Sequence, residues 1–315
     1  MPLNPDVTRL LKMFESNQPP DIWKTDIREF RKRAEQSPLP KKVEKVEDVK
    51  NMEFEHHGIK IPVRLYTPEN AGKGMIIYYH GGGLVFGSIN THDDICRMAA
   101  NRSRTRVLSV EYRLAPENKF PSALDDALET FLWVQKNSAM FGIDSSKIAV
   151  AGDSAGAGLS AALCLKAKDE KLALPRLQVL LYPSVGRLLG SRSMIEFGQG
   201  LYLTESSSEY FRKAYVRDSS DELNPYFSLL IHPDLSGLPE AIVVTAEYDP
   251  LRDGGETYLA KLEKAGVKAT GIRAKGMMHG FASFYSLIPA AENILTMVWS
   301  LVGITLNGTG TQIIQ

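Results

Sequence analysis

At 315 residues, with 43% hydrophobic and 23% charged side chains, the chain has the apolar content for a large core and too much of it for intrinsic disorder. Lys+Arg and Asp+Glu both number 37, so no global field recruits nucleic acid or an acidic surface, and a neutral small molecule is the better-fitting partner. The N-terminus lacks a basic region followed by an apolar core, and no stretch reaches about 18 consecutive apolar residues, so neither a secretory signal nor a membrane span is expected. Two cysteines, Cys96 and Cys164, fall in separate helical stretches with no His or second Cys beside them. They read as buried thiols of a cytoplasmic enzyme rather than as a disulfide or metal site.

The first forty residues predict two short amphipathic helices. Val7, Leu10, Leu11 and Phe14 recur at helical spacing after Asp6, and Trp23, Ile27, Phe30 and Ala34 after Asp21, each Asp being an expected N-cap. Pro19-Pro20 and the Pro38 to Pro40 region punctuate them. Residues 43–66 then alternate, which predicts two antiparallel strands joined at His57-Gly58. His56 and His57 are adjacent on a strand, where side chains point to opposite faces, so they are not expected to share a metal.

From there strands and helices alternate. Strands are predicted at Met75 to Tyr79, Thr105 to Val110, Lys147 to Ala151, Leu177 to Leu181, Ala241 to Thr245 and Val267 to Ile272. Helices are predicted at 92–103, Ser122 to Lys136, Ala155 to Lys168, Leu251 to Ala265 and 281–301. Short β-branched runs between amphipathic helices mean a mostly parallel sheet covered on both faces, with the antiparallel pair extending one edge. Ser184 to Asn224 interrupts the alternation and holds a helix from Glu205 to Val216. Inserted after a strand, where α/β sites open, it is expected to form a lid together with the N-terminal helices. The polar tail, Asn307 to Gln315, is expected to fray.

Chemistry concentrates at the predicted strand ends. Gly152-Asp153-Ser154-Ala155-Gly156 fits the G-x-S-x-G elbow, where small flanking residues let a strand turn into a helix and expose the serine hydroxyl. His80-Gly81-Gly82-Gly83 leaves the Met75 to Tyr79 strand, and such a loop can aim backbone N–H groups at an oxyanion. A phosphate loop would call for a following Lys-Ser/Thr, which is absent. Asp249 follows the Ala241 to Thr245 strand and His279 the Val267 to Ile272 strand, and the order Ser, Asp, His is that of an α/β-hydrolase. Asp253 and Glu247 are rival acids, but Asp253 falls a turn into the next helix. Of six histidines, His56, His57, His92 and His232 sit in strands, at a helix start or in a Pro-flanked loop, and His80 reads as a buttress of the glycine loop.

Together HGGG at 80–83, YRLAPE at 112–117, FPSALDDA at 120–127, GDSAG at 152–156, DPLRD at 249–253 and HGF at 279–281 resemble the hormone-sensitive lipase group of bacterial and archaeal esterases. The resemblance runs from about residue 40 to 300 and implies an α/β-hydrolase fold. It implies Ser154 as nucleophile, Asp249 as acid, His279 as base and the backbone of Gly82, Gly83 and Ala155 as oxyanion donors, with no metal or cofactor. It also implies a cap built from residues 1–45 and the insertion 184–224, around a core of 46–183 and 225–315. Ala157 departs from the family's glycine but lies in a first helical turn, where alanine is the better helix former. Arg113, Glu117, Asp125 and Asp126 are read as structural ion pairs and caps rather than substrate contacts.

The expected activity is hydrolysis of short- to medium-chain carboxylic esters, with amide or acetyl-ester hydrolysis as a variant. Two rivals remain. A small-molecule-binding protein on the same fold is disfavoured because His279 is present beside Ser154 and Asp249. A dinucleotide loop at Gly152 to Gly158 has the wrong glycine spacing. The edge strand Val267 to Ile272 can pair with a second copy, giving a homodimer.

Overall fold

A computed structural model describes residues 2–16, 21–37, 39–186 and 190–308. The breaks expected at Pro19-Pro20 and Pro38, and the tail beyond Gly308, lie outside the described residues. Strands β1 (Asp48–His56) and β2 (Ile59–Thr67) form a hairpin closed by His57 and Gly58, at φ 47° and 77°. Two positive φ values are what a two-residue turn needs to match the strand twist. β2 also lies antiparallel to β4 (Arg106–Val110). β3 (Met75–Tyr79), β5 (Ile148–Asp153), β6 (Leu177–Leu181), β7 (Glu240–Tyr248) and β8 (Ala269–Met278) are parallel, and the eight strands run β1-β2-β4-β3-β5-β6-β7-β8.

The central strands are buried from end to end because helices cover both faces. Along β3, Met75, Ile77 and Tyr79 join the core under α4 (Ser122–Lys136), α5 (Ala155–Asp169) and α8 (Arg252–Lys264). Ile76 and Tyr78 face the other core, with α1 (Pro5–Ser16), α3 (Asp93–Ser103) and α9 (Pro289–Asn307). α9 is long and apolar enough to cross a membrane by length and composition. Its Leu295, Val298, Trp299 and Val302 are instead fully buried in the core.

Most expected elements are found within a few residues, and the departures have local causes. α1 is capped by Asn4, whose Oδ1 accepts from the N–H of Asp6, so Asp6 lies inside the helix. Asp21 closes a separate turn by accepting from Trp23 N, and α2 (Ile27–Glu35) starts later, on Asp26. The closing helix does not begin at 281. Phe281–Phe284 is a 3₁₀ turn, and Pro289 opens α9, in the first turn where a proline costs no helical hydrogen bond. β8 is longer than its apolar run because pairing with β7 carries it past Arg273 and Lys275 to Met278. α6 (Arg192–Phe197), in the insertion, was not expected, whereas α7 (Glu205–Tyr215) was.

Candidate active site

The elbow joins β5 to α5 at Ser154, held at φ 52° and ψ −117°, a strained conformation for a residue with a side chain. Its N–H donates to Leu181 O at 2.8 Å and its carbonyl accepts from Ser184 N at 3.0 Å, which pins both sides of the turn. Gly152 and Gly156 are dictated by close approach: a Cβ on either would lie 2.5 and 2.0 Å from the carbonyl oxygen of Tyr79. Ala157, where the resemblance expected glycine, is fully buried in the core against α4.

Parallel strands bring the other two groups to the same edge. His279 follows β8 directly, and its Nε2 lies 2.9 Å from Ser154 Oγ. Its Nδ1 lies 2.7 Å from Oδ2 of Asp249, which is fully buried and also accepts from Leu251 N at 2.7 Å. The acceptor at Nδ1 is a carboxylate, so the neutral ring carries its proton there and presents a bare Nε2 to the serine. Tyr182 packs edge-on against the imidazole, with centroids 4.9 Å apart.

The rival groups are occupied elsewhere. Asp253 pairs with Arg252 and accepts from Ser193 N at 2.8 Å, and Glu247 accepts from Gly276 N at 2.7 Å. His56 meets Glu129 at 3.1 Å and His232 meets Asp169 at 2.9 Å. The rings of His56 and His57 do touch, contrary to the expectation of opposite faces, because His57 has left the strand for the turn. Among the described residues no group of three or more His, Cys, Asp or Glu side chains could hold a metal. Arg113 and Asp126 form a bidentate ion pair, and Lys166 pairs with Asp125, as structural roles require.

The glycine loop packs on the elbow. Gly82 is at φ 116°, where a Cβ would strike the Phe86 carbonyl oxygen at 2.1 Å, and Gly83 is at φ 64°. Among the described residues no hydrogen bond engages the amides of Gly82, Gly83 or Ala155. Ala155 opens α5, so its N–H has no partner in the helix.

One participant escaped sequence reading. Asp153 is buried beneath the loop, where its Oδ1 accepts from Gly81 N and Tyr78 OH, both at 2.9 Å, and lies 3.3 Å from His92 Nε2. Burial alone would raise this carboxyl, but His92 and the Tyr78 hydroxyl outweigh it and hold the pKa below the ordinary value. Asp153 occupies a variable position of the elbow pattern, so only its contacts reveal it.

A cavity of about 1670 Å³ opens over Ser154. Met13, Phe30 and Leu39 contribute from the N-terminal segment, and Leu203, Phe211 and Tyr215 from the insertion. It is larger than the usual small-molecule pocket.

The α/β hydrolase fold family matches residues 76–283. The chain is 41% identical to an arylesterase from Saccharolobus solfataricus across 89% of this chain and 92% of that one. It belongs to the hormone-sensitive lipase group of α/β-hydrolase esterases. The hydrolase is also 34% identical to an ethyl acetate hydrolase from Pseudomonas putida, over 95% of this chain and 98% of that one. The solved esterase of the archaeon Pyrobaculum calidifontis matches the hydrolase with a TM-score of 0.89 at 37% identity, covering 96% of this chain and 98% of that one.

Proposed function

We propose that this hydrolase is a serine carboxylesterase that cleaves short- to medium-chain acyl esters through an acyl-enzyme on Ser154. The observation that carries the reading is the unbroken hydrogen-bonded chain from Asp249 through His279 to Ser154 Oγ. His279 Nε2 takes the hydroxyl proton as Oγ attacks the ester carbonyl, and Asp249 stabilises the imidazolium without itself being protonated. The amides of Gly82, Gly83 and Ala155 receive the oxyanion. His279 then gives its proton to the leaving alcohol, and water repeats the two steps on the acyl-enzyme. No group outside the chain is required. Residues 1–45 and 184–224 act as the cap, a reading supported by the side chains both contribute to the cavity.

Cys96 and Cys164 are buried free thiols, which fits a reducing, cytoplasmic setting. β8 lies at the sheet edge, which favours pairing with a second copy.

Ser154→Ala tests the proposal: p-nitrophenyl butyrate turnover falls by several orders of magnitude while the fold, read by circular dichroism, is unchanged. Near-normal turnover would sink the assignment.

A further inference from the structure

Helix α2 lies over the glycine loop and meets it at successive points. The Phe30 ring packs edge-on against Phe86, with centroids 5.3 Å apart, and Ser88 Oγ donates to Glu35 Oε1 at 2.7 Å. Between these contacts, Arg31 Nε donates to Val85 O at 2.7 Å and one terminal nitrogen donates to Ala115 O, also at 2.7 Å. The same guanidinium grips Glu117 at 2.9 and 2.7 Å. Phe86, Val85 and Ser88 all belong to the turn that follows Gly82 and Gly83.

That turn is strained. Leu84 is held at φ 61°, and its carbonyl accepts from Ala115 N at 2.8 Å. Non-glycine residues stay in such a region only where surrounding contacts impose it. Arg31 draws the carbonyls of Val85 and Ala115 onto one planar fork and so closes the link between the turn and the Tyr112 to Glu117 segment. α2 itself buries no residue fully, so it is held on the loop mainly by these few contacts.

We propose that Arg31 is a positioning residue that couples closure of the N-terminal segment to assembly of the oxyanion hole. With α2 seated, the fork holds Leu84 and Val85 and keeps the Gly82 and Gly83 amides aimed at the reacting carbonyl. With α2 lifted, both carbonyl contacts are lost and the loop relaxes. The inference rests on the esterase reading above. The two carbonyls fix the guanidinium, and the Glu117 pairing, a half-exposed ion pair, contributes little by itself.

The test compares Arg31→Ala, Arg31→Lys and Glu117→Gln with the full-length parent. Three quantities are read: kcat and KM on p-nitrophenyl butyrate, the rate of inactivation by diethyl p-nitrophenyl phosphate, and the melting temperature. The phosphate ester needs the same oxyanion donors but no deacylation. Arg31→Ala and Arg31→Lys should lose about 10-fold or more in kcat, with inactivation slowed in parallel, as expected for displaced oxyanion donors. Added guanidinium ion should restore part of the Arg31→Ala rate. Glu117→Gln should stay within about 2-fold, since only the weak half-exposed pair is lost. If Arg31→Ala keeps its kcat and changes only KM or melting temperature, the coupling is wrong. Should that variant fail to fold, a folded Arg31→Lys with normal kcat overturns it equally. A parent inert toward both ester and phosphate would overturn the esterase reading as well as this one.

Discussion

His80 and Asp153 lie under the glycine loop, and burial treats them oppositely. The His80 ring is stacked on Tyr112 at 4.4 Å, with its Nδ1 2.8 Å from Gly81 O, so it serves as the buttress its position implied. Burial, reinforced by the neighbouring His92, pushes its pKa down to about 3, so the ring stays neutral. The unfolded chain takes up a proton near 6.5 that the folded chain refuses until about 3, so His80 draws stability down as pH falls through that window. Melting curves across it should therefore slope more steeply for the parent than for His80→Gln. Parallel slopes would show that His80 titrates as it does in the unfolded chain. The role of His80 was legible because it opens HGGG. The contacts of Asp153 were not, since Tyr78 and Gly81 reach it from the end of β3 and His92 from the start of α3, both far from it in the chain.

At the scale of elements, α7 was readable and α6 was not. Thr204 Oγ1 accepts from Ser207 N at 3.1 Å and the Ser207 hydroxyl returns to the cap, a reciprocal pattern written within four residues. α7 sets Phe211 against the glycine loop: a Cβ on Gly83 would lie 2.3 Å from its ring. Thr204→Ala should cost about 1 kcal/mol of stability and raise KM for p-nitrophenyl butyrate while sparing kcat, because α7 lines the cavity without touching the reacting atoms. An unchanged KM and melting temperature would mean that α7 is held by its packing alone. α6 spans six residues, too few for a helical period to show. It is fixed instead by Ser193, whose hydroxyl donates to Pro250 O at 2.9 Å while its amide donates to Asp253. That contact gives the second aspartate of DPLRD a structural role, which explains why it is not the partner of His279.

For the whole molecule, the shape of the cavity is expected to set which esters are turned over. Its walls come from the N-terminal segment, the insertion and the strand ends, with Phe30, Phe86 and Phe211 packed ring against ring in the lining. Across p-nitrophenyl esters from acetate to palmitate, kcat/KM should peak at or below octanoate. A peak at laurate or beyond would mean that the cavity opens into a channel for long chains.

The alternation of strands and helices, the elbow, the glycine loop and the order Ser, Asp, His were determined by the sequence alone. Each is a local pattern of periodicity or small residues, and parallel strands deliver their following loops to one edge. What only the tertiary structure decided is what occupies the rival acids Asp253 and Glu247, how Asp153 braces the loop, and that Arg31 of α2 reaches Val85 and Ala115. These contacts join segments tens of residues apart, where packing of the whole chain sets the distance and no local spacing records it.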